Sequence, residues 1–293
     1  MQKQSFFLSF FLVCLGLNLF AQPSTTVNPS AINNVLTQAA FVHSSNSTNT
    51  PGGSNYTHIN ATVCNNNPNA IVHVMTRTYE VCPKHIGVWY DEGQKKWAIF
   101  NQDKSPMSAN KDFNVVIDGG FVHTATASNT TGNWTVIDNP ATNNNPNAII
   151  IVTQRFNSTA SVYNNRAVGA WYNTKLNKWT IFNEDQSPLA ANLQFNVKVT
   201  AAATPFSTNP TAFANNITNI QQRLLPTGIG GQNAIIVATH VYGGANPKYL
   251  TYTPHISYFG SPNAFWQILY GNCGGDVPSY LEVGHIFHLL SYK

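Results

Sequence analysis

Short apolar runs separated by amide-rich turns set the rhythm of this chain. Ile149 to Val152 is apolar and β-branched and is preceded by Asn-Pro turn chemistry, which predicts a strand covered on both faces. Trp171-Tyr172 and Lys178-Trp179-Thr180-Ile181-Phe182 flank a polar segment holding Asn173 and Asn177, which predicts a hairpin. A symmetric pairing sets Trp171 opposite Trp179, with Gly169 and Ile181 on the same face. Tyr172, Lys178 and Phe182 then share the other face. No stretch carries a long 3.6-residue apolar period with caps, so the predicted elements are strands throughout.

The pattern repeats. Asn65-Asn66-Asn67-Pro68-Asn69-Ala70-Ile71-Val72 returns as Asn143-Asn144-Asn145-Pro146-Asn147-Ala148-Ile149-Ile150. Gly87-Val88-Trp89-Tyr90 and Lys96-Trp97-Ala98-Ile99-Phe100-Asn101 return as Gly169-Ala170-Trp171-Tyr172 and Lys178 to Asn183. Phe113-Asn114-Val115 matches Phe195-Asn196-Val197, and Phe41-Val42-His43 matches Phe121-Val122-His123. A third, degraded copy holds Asn233-Ala234-Ile235-Ile236, Trp266 to Tyr270 and Ile286-Phe287-His288-Leu289, and Phe213-Ala214-Asn215 is a candidate opening for it. The expected fold is all-β: three tandem antiparallel β-sandwich-like repeats of about 80 residues. Their expected spans are 40–120, 121–200 and 211–293, after an N-terminal linker at 22–39 and with a second linker at 201–210. Three sandwiches in a row is one arrangement; a single closed pseudo-threefold structure is the other.

Composition narrows location more than activity. Charged residues make up 9% of 293, against roughly 25% in ordinary soluble domains. Neutral amides replace them, Asn alone being about one residue in eight. The only adjacent basic pair is Lys95-Lys96, which excludes the clustered basic surface of a nucleic-acid binder. Residues 1–21 read as a signal peptide: Lys3 precedes the apolar run Phe6 to Phe20, and Ala21 is a small residue before the cut. No later segment is long and apolar enough to span a bilayer. The expected mature protein is secreted, extracellular or at the cell surface. Once Cys14 is removed with the leader, Cys64 and Cys82 lie in one repeat as a candidate disulfide, leaving Cys273 over.

Candidate chemistry is thin. Tyr90, Lys96, Tyr172 and Lys178 fall on the hairpin face open to solvent or a ligand, whereas the Trp pairs fall on the packed face. Arg77 and Arg155, at the ends of matching strands, suit either an anion or a loop carbonyl. Asp103, Asp185 and Asp276 recur before a Pro and are weak calcium candidates, with an Asx-turn as the simpler use. The repeated His43 and His123 suggest a structural hydrogen bond. There is no His-Glu-x-x-His, Cys-x-x-Cys, Walker A or Rossmann glycine pattern, and no Gly-x-Ser-x-Gly elbow, so neither metal nor cofactor is expected.

At Asn-Asn-Pro-Asn-Ala-Ile-Ile-Ile-Val-Thr-Gln, Gly-Ala-Trp-Tyr-Asn and Lys-Trp-Thr-Ile-Phe-Asn-Glu-Asp, the chain resembles a repeated β domain of unknown function found in secreted bacterial proteins. Its leader, ending Phe20-Ala21-Gln22, is similar to those of Bacteroidota. The resemblance implies export and modular β architecture and carries no catalytic residue. The expected function is a non-enzymatic extracellular binding or surface-structural protein, recognising neutral glycans or associating with itself. The alternative is a secreted glycan hydrolase built on a carboxylate pair.

Overall fold

The computed structural model describes residues 39–78, 80, 82–200, 207–208, 217–218, 221–224, 231–244, 247–260, 265–269 and 285–292, and every regular element among them is a strand. The first repeat supplies β1 (Ala39–Ser44), β2 (Tyr56–His58), β3 (Val72–Arg77), β4 (Ile86–Asp91), β5 (Lys96–Asn101) and β6 (Asp112–Ile117). The second supplies β7 (Phe121–Thr124), β8 (Thr130–Thr131), β9 (Trp134–Val136), β10 (Ile149–Arg155), β11 (Val168–Asn173), β12 (Lys178–Asn183) and β13 (Gln194–Thr200). The third supplies β14 (Ser207–Thr208), β15 (Ile217–Thr218), β16 (Gln221–Leu224), β17 (Ile235–Val241), β18 (His255–Phe259), β19 (Phe265–Leu269) and β20 (Ile286–Tyr292). β14 thus lies inside the stretch read as a linker, where it pairs with β20. Phe213 to Asn215, Asp276 and Cys273 lie outside the described residues. Among the described residues no helix is long and apolar enough to cross a membrane. The Asn-rich turns use the left-handed backbone that Asn tolerates: Asn66 and Asn144 sit at φ 59° and 56° at matching places.

Each sheet is shared by two repeats. The orders are β1-β6-β3-β18-β19-β16-β15, β2-β5-β4-β10-β13-β7 and β14-β20-β17-β11-β12-β9-β8. In every case three antiparallel strands of one repeat meet the hairpin of the preceding repeat through one parallel contact. Those contacts are Arg77 to Ile256, Arg155 to Val88 and Val241 to Ala170. The third repeat hands its hairpin back to the first, so the succession closes on itself: the pseudo-threefold arrangement, with mixed sheets. Inside each repeat the two halves still face one another as a sandwich. The first repeat's core is Val72, Trp97, Ile99 and Phe113, and the second's is Ile150, Trp179, Ile181 and Phe195.

Where the sheets diverge, the edges of β3, β10 and β17 are capped by side chains from other repeats, as buried backbone groups require. The middle residue of the Phe-Asn-Val motif does this. Asn196 Nδ2 donates to the Val72 carbonyl at 2.9 Å, and Asn114 Nδ2 to the Ile236 carbonyl at 2.8 Å. At the third place His288 Nδ1 accepts from the Ile150 N–H at 2.8 Å. Thr239 Oγ1 likewise accepts from the Val152 N–H at 2.8 Å.

A second fastener is built on the hairpin Trp. Trp97, Trp179 and Trp266 donate from Nε1 to the carbonyls of Asn67, Asn145 and Gly231 at 2.9–3.0 Å. Arg155 of the second repeat stacks over Trp97 at 4.8 Å and bonds the Pro68 carbonyl at 3.1 Å. Arg77 of the first repeat does the same with Trp266 at 4.9 Å and the Gln232 carbonyl at 3.0 Å. Replacing Arg155 with Ala should cost about 1–2 kcal/mol in urea unfolding, from the lost stacking and the orphaned carbonyl. Lys, which lacks the planar fork, should recover only part of it.

Candidate binding site

The hairpin register differs by one residue from the symmetric pairing expected from sequence. Tyr172 opposes Trp179 and Trp171 opposes Thr180; in the first repeat Tyr90 opposes Trp97. The cause is an even, four-residue loop closed by an Asx-turn. Asn173 Oδ1 accepts from the N–H of Lys175 at 3.0 Å, and Asp91 Oδ1 from that of Gly93 at 2.9 Å. A one-residue slip exchanges the faces of a strand. Tyr90, 7% exposed, therefore packs edge-on against Trp97 in the core, and Tyr172 packs against Trp179 in the same way. Trp89 and Trp171 take the outer face instead. Lys178 is on that face and holds Asp138 at 2.7 Å, and Lys96 is its half-buried counterpart.

The other candidates are placed as follows. The Cys64–Cys82 pairing does not form: Cys64 is a free thiol buried beside Ile59 and Trp97, and burial pushes it up to about 11. Cys82 is itself disulfide-bonded. Asp103 and Asp185 make the Asx-turn, each accepting from the N–H of the Ser two residues on, at 2.9 and 3.0 Å. Their second oxygens meet Lys84 at 2.7 Å and Arg166 at 2.6 Å. Arg77 and Arg155 are spent on loop carbonyls and Trp faces. His43 and His123 sit in twin relays. Nε2 meets Thr57 or Thr135 at 3.0 and 2.9 Å, and each hydroxyl donates to Asn49 or Asn129. Since the hydroxyl proton is committed to the amide, the imidazole Nε2 is the donor.

What the exchange of faces creates is an aromatic pocket where the second and third repeats meet. Trp171 and Trp134 pack edge to face at 6.0 Å, and Phe182 meets Tyr242 and Tyr249 at 6.0 and 5.9 Å. With Asn133 they enclose about 220 Å³, and no lining side chain carries a formal charge. Tyr249 is 38% exposed at the mouth. Partial burial, with Tyr242 and Glu184 nearby, holds its hydroxyl above the usual phenol range.

Beneath the pocket lies a group that the sequence reading missed. Glu184, 1% exposed, contacts His240 Nδ1 through Oε1 at 2.6 Å, and His240 Nε2 contacts His285 Nδ1 at 3.0 Å. Oε2 accepts from the Leu250 N–H at 2.8 Å, which anchors the segment carrying Tyr249. Gly169 makes room: a Cβ there would collide with Glu184 Oε1 and lie 2.8 Å from the Phe182 ring. The three groups form a line rather than a cage, and no His/Cys/Asp/Glu cluster suited to a metal occurs among the described residues. One signal was legible in the alignment of copies, where Gln102 and Gln154 of one junction become Glu184 and His240 at the next.

Fold and site together define an all-β protein of three strand-sharing repeats, with an aromatic pocket at a repeat junction. The chain belongs to the family described as domain of unknown function DUF7452, whose model matches residues 17–117 and again 87–199. No curated protein and no solved structure matches it.

Proposed function

We propose that this is a secreted, non-enzymatic extracellular protein that binds a neutral glycan in the pocket between its second and third repeats. The carrying observation is that the aromatic set is dispensable for closing the ring. At the junction of the third and first repeats, Ser257, Leu269 and Thr78 occupy the positions of Trp171, Phe182 and Tyr242, and that junction closes without them. Rings that packing does not demand, all but Phe182 partly or openly exposed around an uncharged cavity, suit the apolar faces and hydroxyl edges of a sugar. The charge-poor composition agrees with a neutral ligand. A hydrolase would need two carboxylates across a cleft. Glu184 is bound through both oxygens, and the other described acids are held by Lys, Arg, His or Ser partners.

The test is affinity electrophoresis of the mature protein through gels holding glucomannan, xylan, laminarin or soluble starch. Retardation by at least one is expected. Trp171→Ala should weaken it tenfold or more, about 1.4 kcal/mol, with the melting temperature little changed. Free migration in all four gels, and on an array of neutral glycans, overturns the proposal.

A further inference from the structure

We infer that the junction of the first and second repeats is a second binding site for the same neutral glycan, giving two sites per chain; this rests on the proposed function. The pseudo-threefold maps Tyr56, Trp89, Phe100, Phe156 and Tyr163 onto Trp134, Trp171, Phe182, Tyr242 and Tyr249, and every position keeps an aromatic ring. The ring geometry is kept with it. Tyr56–Trp89 is edge-to-face at 5.3 Å and 72°, against 6.0 Å and 86° for Trp134–Trp171. Phe100–Phe156 and Phe100–Tyr163 lie at 5.8 and 5.6 Å, against 6.0 and 5.9 Å. Phe156–Tyr163 is at 4.8 Å, against 4.6 Å for Tyr242–Tyr249.

The supports are duplicated as well. Asn55 Nδ2 donates to the Asn101 carbonyl at 3.0 Å as Asn133 Nδ2 does to that of Asn183 at 3.2 Å. Gln102 Oε1 accepts from the Asn164 N–H at 3.0 Å, the place where Glu184 holds Leu250. Gly87, like Gly169, admits the Phe ring, since a Cβ there would lie 2.7 Å from Phe100. At the third junction Ser257, Leu269 and Thr78 stand at three of these positions, so the shared pattern is not a requirement of the fold. The two sites differ in detail. Lys104 stands 4.5 Å over the Tyr163 ring, Phe156 lacks the hydroxyl of Tyr242, and Ser158 accepts from Trp89 Nε1 at 3.1 Å. The second site therefore offers fewer hydrogen bonds to sugar hydroxyls and should be the weaker.

Titration calorimetry and tryptophan fluorescence with mannohexaose, xylohexaose, laminarihexaose and maltohexaose test this on the full mature protein. Two sites of unequal affinity are expected for at least one hexasaccharide. Trp89→Ala should remove the weaker and Trp171→Ala the tighter, each leaving the other. Tyr163→Ser provides an independent lesion at the weaker site, and circular dichroism with melting curves verifies the fold of each variant. One site, lost in Trp171→Ala and untouched by Trp89→Ala and Tyr163→Ser, overturns the second site and leaves the proposed function standing. Binding that ignores all three substitutions, or no binding at all, overturns both.

Discussion

Between pH 6.5 and pH 4 the protein is expected to lose stability steeply, because its folded core holds imidazoles that refuse a proton. Burial lowers His43, His85, His123, His255 and His288 to about 4 and His73 to about 3. Nε2 of His73 and Nε2 of His255 have no hydrogen-bond partner, so a proton added there would be a buried, unanswered charge. The direction follows from linkage. Above about pH 6.5 these side chains are neutral in both states, and stability is flat with respect to them. Below it the unfolded chain takes up protons that the native chain rejects, and each such group removes about 1.4 kcal/mol per pH unit. The loss levels off only near pH 4, where the native imidazoles begin to titrate. Asp91, Asp103 and Asp118 are held below the usual carboxylate range by His, Lys and Ser or Tyr partners that outweigh their desolvation, so their contribution fades only at lower pH. Melting temperatures at pH 7.5, 6, 5 and 4.5 should fall progressively after the first. His123→Gln should make the fall shallower; a melting temperature unchanged from pH 7.5 to 4.5 would refute the account.

The next largest effect is expected at Glu184. Glu184→Ala should destabilise by about 3 kcal/mol or more, because it strands His240 Nδ1 and the Leu250 N–H in a closed interior. The junction of the first and second repeats shows how the same place is filled without charge: Gln102 bonds Asn164, and Gln154 Nε2 donates to the Arg166 carbonyl at 2.9 Å. Transplanting that solution as Glu184→Gln with His240→Gln should recover most of the loss. The coupling measured by a double-mutant cycle should exceed 1 kcal/mol. Purely additive single and double substitutions would mean that the two side chains do not act as a pair.

Much of this was legible in the chain because it is local. The Asn-Asn-Pro-Asn turns, the Asp-x-Ser turns and the three copies of the hairpin strand depend on residues within a few positions of one another. The hairpin register was missed by one residue because Asp91 and Asn173 cap an even loop, and the apolar pattern places an aromatic residue on either face. Which hairpin joins which sheet was not legible at all: each junction is a single parallel contact between strands of different repeats. The aromatic pocket depended on both missed features. Its Trp171 comes from the misplaced face and its Tyr242 and Tyr249 from the neighbouring repeat. Cys64 illustrates the same limit, since shared membership of a repeat says nothing of the distance between two thiols.

The parallel contact between Arg77 and Ile256 gives strand exchange a consequence in time. The sheet begun by the first repeat waits for a hairpin encoded near the end of the chain. Until that hairpin arrives, β3 has an open flank and the ring is an open arc with two unsatisfied ends. Closing so long a loop spends entropy before any contact is gained. Folding should thus finish at the beginning of the sequence, with the earliest repeat the last to be completed.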